Sequence, residues 1–397
     1  MTQAQSGTRL RWLVLAVFVL STTINYLDRA TLATVAPAVK AEFHLSNAEY
    51  GWIVNAFMLT YALTAPLAGM LVDRIGLNRA IRLAVGLWSC AGIATGFTSG
   101  LAGLAGCRGV LGFAEAGGIP AAGKAIHQYM LPAERALGNA MNQAAVSLGL
   151  ILAPPIATAI AVRNGWRHAF VVTGVLGLLW IPLWIWVSRR IPAPPAPKAS
   201  LNPGPGLLGD RRLWAFVVAN ALSMIPYSLW TNWTTLYLVD VQHMTMLQAA
   251  WYAWIPPVLA AAGGFAGGAL SRRWMNFGMA AITARFRVCL LASALALVAA
   301  AIPLSPGPIW ACVEISISFF SVAAFSVNMY SLPLDTFGGA RAAFAVSMLT
   351  ASAGAAGLIS PFFGRLIDLH GYGPVMGIAA VMPLAGCATL KLTRSVE

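Results

Sequence analysis

The amino-acid sequence predicts an all-α integral membrane protein with twelve transmembrane helices in two six-helix bundles. Three observations carry that expectation. Only 9% of the 397 residues are charged and 59% are hydrophobic, against roughly 25% charged in a soluble globular chain. Apolar stretches of about twenty residues, enough to cross a hydrocarbon core of roughly 30 Å, recur along nearly the whole chain. A proline-rich interruption then divides them into six and six.

The expected spans are 11–37, 47–72, 80–99, 102–128, 136–161, 167–188, 212–239, 248–270, 284–303, 308–333, 340–366 and 373–391. The first is followed by no small-residue cleavage site, so it is expected to stay as a helix and not to serve as a leader. Segment 190–211 reads RIPAPPAPKASLNPGPGLLGDR. Its prolines deny it a helix and make it a semi-rigid linker. The expected units are a first bundle at 1–189, the linker at 190–211 and a second bundle at 212–397. Ten-residue segments of alternating polarity do not recur, which argues against a β-barrel.

The net charge is +13 and the mean hydropathy +0.74. In a soluble chain such a charge would point to nucleic acid, but its distribution points to a bilayer. With the N-terminus inside, the inner ends of the spans collect eighteen Lys and Arg. The outer ends collect only Lys40, Arg163, Arg167 and Arg365. That asymmetry follows the positive-inside rule and places both termini in the cytoplasm, with lipid and not nucleic acid as the partner. The five cysteines show no metal-ligand spacing and read as core residues. No cofactor is expected. Enzyme chemistry is not expected either, because no metal cluster, nucleophile–His–acid set or phosphate loop stands out. A receptor would need a soluble output module, and the longest hydrophilic stretch is the linker.

Four charges interrupt this pattern. Asp28 and Arg29 fall in the first apolar stretch, Arg108 and Glu115 in the fourth. An ionised group at mid-bilayer costs from about 3 to more than 10 kcal/mol, so such residues face a wet cavity and handle a solute or a proton. Arg108 and Glu115 are seven apart, on one helix face with about 10 Å of rise between them, too far for a direct pair. Helical side chains lean toward their own N-terminus. On antiparallel spans Arg29 and Glu115 lean toward each other and can meet. Asp28 sits about 100° around the helix from Arg29, which leaves Arg108 as its candidate partner. The planar fork of Arg29 matches a carboxylate. A Glu115 that alternates between this arginine and a dry surrounding can take up and release a proton. The competing reading is a pair of static buried salt bridges.

The loop after the second span reads Gly69-Met-Leu-Val-Asp73-Arg74-Ile-Gly76-Leu-Asn-Arg79. It resembles the signature loop of the major facilitator superfamily, which implies two bundles rocking about a midplane site. Asp73, Arg74 and Arg79 are then the candidate inner gate. The corresponding Gly268-Ala-Leu-Ser271-Arg272-Arg273 keeps the bases and lacks the acid.

Asn25-Tyr26-Leu27-Asp28-Arg29, the stretch from Arg108 to Pro155, Trp254-Ile255-Pro256 and Asp335-Thr336-Phe337-Gly338 together resemble the anion:cation symporter family, most of all bacterial hexuronate transporters. The resemblance implies import of a monoanionic sugar acid such as glucuronate or galacturonate with protons, in a bacterial inner membrane, by a protein expected to be monomeric. It implies substrate contact at Arg29, Tyr26 and Tyr61, and proton handling at Glu115. Asn142, Gln143, Asn232, Trp233, Tyr330 and Thr350 supply donors, acceptors and aromatic faces for a hydroxyl-rich solute. Lys124 is expected either to hold the anion or to snorkel to the cytoplasmic surface. Asp28 and Arg108 join Glu115 in the expected proton-coupling set, and Glu314 is a further candidate. Val146 stands where galactonate-type members carry glutamine. Alternatives of the same architecture are a carrier of an aldonate, sialic acid or aromatic acid, and a drug-efflux antiporter. The glycines at 117, 118, 138, 149, 263, 264, 267, 268, 354 and 357 are expected to let helices approach closely.

Overall fold

The computed structural model describes residues 3–131, 134–190, 206–337 and 339–394, and these form helices joined by short turns with no strand among them. The first half holds α1 (Gln3–Phe43), α2 (Asn47–Ile75), α3 (Leu77–Thr95), α4 (Leu101–Glu115), α5 (Gly118–Tyr129), α6 (Arg135–Asn164) and α7 (Trp166–Ser188). After a single 3-10 turn at Leu207–Gly209 come α8 (Arg211–Asp240), α9 (Met246–Ala253), α10 (Ile255–Asn276), α11 (Ala281–Ala296) and α12 (Pro308–Met329). The chain ends with α13 (Leu332–Phe337), α14 (Gly339–Ala356), α15 (Ser360–His370) and α16 (Gly373–Arg394). Among the described residues, nine helical segments are long and apolar enough to cross a membrane. The other three expected spans, at α2, α3 and α4–α5, are helical as well.

Several spans expected to be continuous are interrupted, and three of the breaks have a plain local cause. The fourth span breaks at Ala116 and Gly117, directly after Glu115. Glycines cost a helix about 1 kcal/mol each, and two stand side by side here. The eighth breaks at Trp254, and α10 restarts with prolines in its first turn. The eleventh passes through a 3-10 turn at Gly357–Ile359 before α15, which also opens with proline. Proline is well placed there because a first-turn N–H has no intrahelical acceptor. Gly117 and Gly118 are therefore not a packing face: a Cβ at Gly118 would meet nothing within 4 Å. Gly264 and Gly268 are equally open. Close approach is real at Gly149, where a Cβ would lie 2.5 Å from the Thr23 carbonyl of α1.

Turn geometry repeats between the halves. His44 and His243 both carry positive φ, at 52° and 53°. Each is followed two residues later by a capping box, Ser46 with Glu49 and Thr245 with Gln248. Gly76 pairs in the same way with Gly278, and Gly165 with Gly371. Left-handed backbone is sparse for residues other than glycine, so the matched histidines are a specific sign of an internal repeat.

Among the described residues, the halves meet toward one end. The largest buried cluster runs through both, from Val35, Tyr50 and Ile53 to Trp233, Leu236 and Phe363. Toward the chain termini the cores are separate: one holds Phe18, Trp88 and Trp184, another Phe216, Phe325 and Leu349. The hydrogen bonds and ion pairs that join the halves, among the described residues, lie toward the end opposite the termini. The Asp368 carboxylate accepts from the backbone N–H of Asn47 and Ala48 at 3.0 and 2.9 Å. Tyr50 donates its hydroxyl to the Asn232 carbonyl at 2.9 Å, and Lys40 lies 3.9 Å from Asp240.

Candidate functional site

One stripe of α1 faces a cavity. Phe18, Ser21, Thr22, Asn25, Tyr26 and Arg29 recur at helical spacing along its wall, opposite Tyr61, Trp88, Glu115, Asn142 and Val146. The cavity encloses about 420 Å³ of space free of protein atoms, part of it open to solvent. It runs from Arg29 and Glu115 toward the end that carries the termini, where the half cores are separate.

Arg29 and Glu115 meet as the opposed lean of their helices requires. Nε and Nη2 of Arg29 donate to the same Glu115 oxygen, Oε2, at 3.0 and 2.8 Å. The carboxylate is fully buried while the arginine side chain keeps 17% exposure. Both line the cavity wall, with Glu115 the dry partner and Arg29 the more exposed one. Three rings hold the guanidinium, with Tyr26, Phe57 and Tyr61 centred 4.7, 4.8 and 5.0 Å away. An aromatic face attracts a cation and fixes its plane without consuming its N–H donors. Glu115 Oε1 has no hydrogen-bond partner.

Asp28 turns away into the first half. It is buried beside Thr173, with Arg108 and Glu115 as its charged neighbours. No hydrogen bond or ion pair joins it to Arg108: both Asp28 oxygens, and Nε and Nη2 of Arg108, are without partners. The Arg108 head lies 5.5 Å from the Phe170 ring. The expected second pair is therefore a loose buried cluster behind α1, off the cavity wall.

The other candidates divide. Asn142 lines the cavity and accepts from Thr22 Oγ1 at 2.8 Å. Tyr330 lies across from Tyr26, with Thr350 and Asn220 beside it. Gln143 is exposed and does not line the cavity. Asn232 and Trp233 belong to the seam: Asn232 donates to the Ser228 carbonyl, and Trp233 packs edge-on against Tyr50 at 5.1 Å. Lys124 donates to the Val72 carbonyl at 2.9 Å, satisfying an acceptor in the last turn of α2. Glu314 is hydrogen-bonded to Ser305 in the turn before α12 and takes no part in the cavity wall. Arg74 and Arg79 are exposed and make no ion pair with another described residue, while the Asp73 side chain lies outside the described residues.

The family model described as Major Facilitator Superfamily matches residues 18–361. The chain belongs to the Major Facilitator Superfamily. A hexuronate transporter of Escherichia coli (strain K12) is 28% identical, over 96% of this chain and 93% of that protein. A probable sulfoacetate transporter of Cupriavidus necator is 28% identical, over 94% and 93%. A galacturonate transporter of Dickeya chrysanthemi is 27% identical, over 65% and 81%. Among solved structures, a bacterial homologue of the human lysosomal transporter Spinster, described as inward-facing and occupied, superposes with a TM-score of 0.82 at 20% identity, covering 98% of this chain and 97% of that one. The chain is thus a multi-pass membrane transporter, not an enzyme, related to carriers of sugar acids and other organic anions.

Two residues of the candidate site escape the expected set. Phe57 completes the rings around Arg29, and its only sequence signal is its place one turn before Tyr61. Asn25 lines the cavity one turn before Arg29. Tyr227, which the sequence also offers as a lining aromatic, lies on α8 of the other half near both Arg29 and Tyr26.

Proposed function

We propose that this transporter is a proton-coupled symporter that imports a monoanionic sugar acid, a hexuronate such as glucuronate or galacturonate, by alternating access. The observation that carries the reading is the Arg29–Glu115 pair at the cavity wall. A solute carboxylate competes with Glu115 for the same guanidinium. Once displaced, Glu115 is a buried carboxylate without its cation, and taking up a proton relieves that cost. Release of solute and proton restores the pair. The apolar Val146 on the wall and the hexuronate and galacturonate transporters among the relatives support a uronate over an aldonate.

With both termini in the cytoplasm of a bacterial inner membrane, the cavity faces inward and the Asp368, Tyr50 and Lys40 contacts close the outer side. The inward-facing Spinster homologue supports the same assignment. The two units, 1–189 and 212–397, would rock about the site as a monomer, joined by the linker at 190–211. Asp73, Arg74 and Arg79 would close the inner side in the opposite state.

Purified protein in liposomes, offered a panel of hexuronates and aldonates, tests this. Uptake of a hexuronate should rise with an inward proton gradient and acidify the lumen. Uptake that ignores the gradient would remove proton coupling. A second reading, another organic anion as solute, draws on the sulfoacetate transporter among the relatives, and transport of sulfoacetate but no hexuronate would select it.

A further inference from the structure

Asn25 is 6% exposed, lines the cavity, and its Nδ2 has no hydrogen-bond partner. A buried amide N–H left without an acceptor is costly, by roughly the free energy of a lost hydrogen bond. It stands one helical turn from Arg29, on the same stripe of α1. The amide lies within polar reach of the Glu115 carboxyl, but no hydrogen bond of full geometry forms between them: Asn25 Nδ2 and Glu115 Oε1 are both without a partner while Oε2 is taken by Arg29. An orphaned donor therefore sits next to the guanidinium that would grip a carboxylate, on the side from which the cavity opens. A protonated Glu115 is a weaker acceptor than a carboxylate, which leaves that donor to the solute.

We propose that Asn25 is a specificity-determining residue whose amide donates to an oxygen on the carbon next to the solute's carboxylate. The substrate class is then a 2-oxygenated carboxylic acid, in which that oxygen is a hydroxyl or a ring ether. This rests on the reading of Arg29 as the carboxylate anchor. The chemistry follows from the spacing of the two donors. A carboxylate on Arg29 carries its neighbouring substituent within one helical turn, where Asn25 Nδ2 is the unsatisfied donor. An acid with a methylene at that position leaves the amide buried and unpaired. Sites built around such a donor reject analogues that lack the acceptor more strongly than they reject a change of volume.

Two ring acids isolate that oxygen. Tetrahydropyran-2-carboxylate and cyclohexanecarboxylate differ only in the atom beside the carboxylate-bearing carbon, oxygen in one and methylene in the other. Binding of each to the purified full-length protein, together with glucuronate and galacturonate, is measured by calorimetry. The wild type should bind the oxygen-containing ring roughly tenfold more tightly, the size expected of one hydrogen bond. Asn25→Leu, which keeps the volume and removes the donor, should bring that ratio close to one. Asn25→Ala serves if the leucine variant elutes aggregated. A ratio near one in the wild type, or a preference that survives in the variants, overturns the proposal. If the uronates bind and only the ratio fails, Asn25 alone is misassigned. If no carboxylate binds, the carboxylate anchor falls as well, and the proposal with it.

Discussion

Asp368 caps a helix that belongs to the other half of the molecule. Its two oxygens receive the Asn47 and Ala48 amides separately, at 3.0 and 2.9 Å. The first-turn amides of α2 would otherwise be without acceptors, and a carboxylate at a helix N-terminus also meets the favourable end of the dipole. The contact exists only while the halves touch at that end. Asp368→Ala should therefore favour separation there, by about 1 kcal/mol for one lost cap. Spin labels at His44 and Leu369 report it: the variant should show a larger population at long distance, and an unchanged distribution would count against the cap as a closing contact.

If Glu115 carries the proton as proposed, Glu115→Gln should separate proton coupling from solute binding. The amide keeps the volume and cannot carry the proton. Accumulation against a gradient should disappear in the variant, while exchange of labelled for unlabelled solute continues. A static bridge would instead show mainly as a reduced yield of folded protein.

Arg29→Lys keeps the charge and removes the fork. Lysine cannot reproduce the parallel donors or the flat contact with three rings. Affinity for the transported acid should fall by tenfold or more, about 1.4 kcal/mol or greater, read by equilibrium binding. Retained affinity would show that charge alone suffices.

Lys124→Met tests a position on which the sequence left two readings open. Its ammonium group is committed to the Val72 carbonyl. Solute affinity should change less than about twofold, while thermal stability falls by about 1 kcal/mol for the lost bond. A large loss of affinity would return Lys124 to the cavity.

Gly149→Ala asks whether the contact between α6 and α1 is as close as it looks. The added Cβ would lie 2.5 Å from the Thr23 carbonyl and 2.8 Å from Tyr26 Cβ. Overpacking of this kind costs about 1–3 kcal/mol, so the melting temperature should drop and solute affinity should fall with the shift of Tyr26.

The charges at 28, 29, 108 and 115 were legible because ionised groups stand out in apolar spans, and helical lean was enough to pair Arg29 with Glu115. The Asp28–Arg108 pair was not, since angular position around a helix does not fix the distance between two neighbours. Lys124, Asn232 and Trp233 are ordinary in composition, and only tertiary packing separates a cavity wall from a seam. The break after Glu115 was written in Gly117-Gly118, yet the same dipeptide also suits close packing. Asp368 gave no local sign at all, because its partners lie more than three hundred residues away.

The matched histidines allow the two halves to be laid over one another. Carrying the His44–His243 offset back along the helices sets Asp28 and Arg29 opposite Tyr227 and Ser228. The Gly100–Gly307 offset sets Arg108 and Glu115 opposite Ile315 and Val322. The copies share their corners and differ in their ionic equipment. The repeat is thus symmetric in its turns and asymmetric in its ions, and a variant that restored charge to the second half would set a new ionic group across from the Arg29–Glu115 pair.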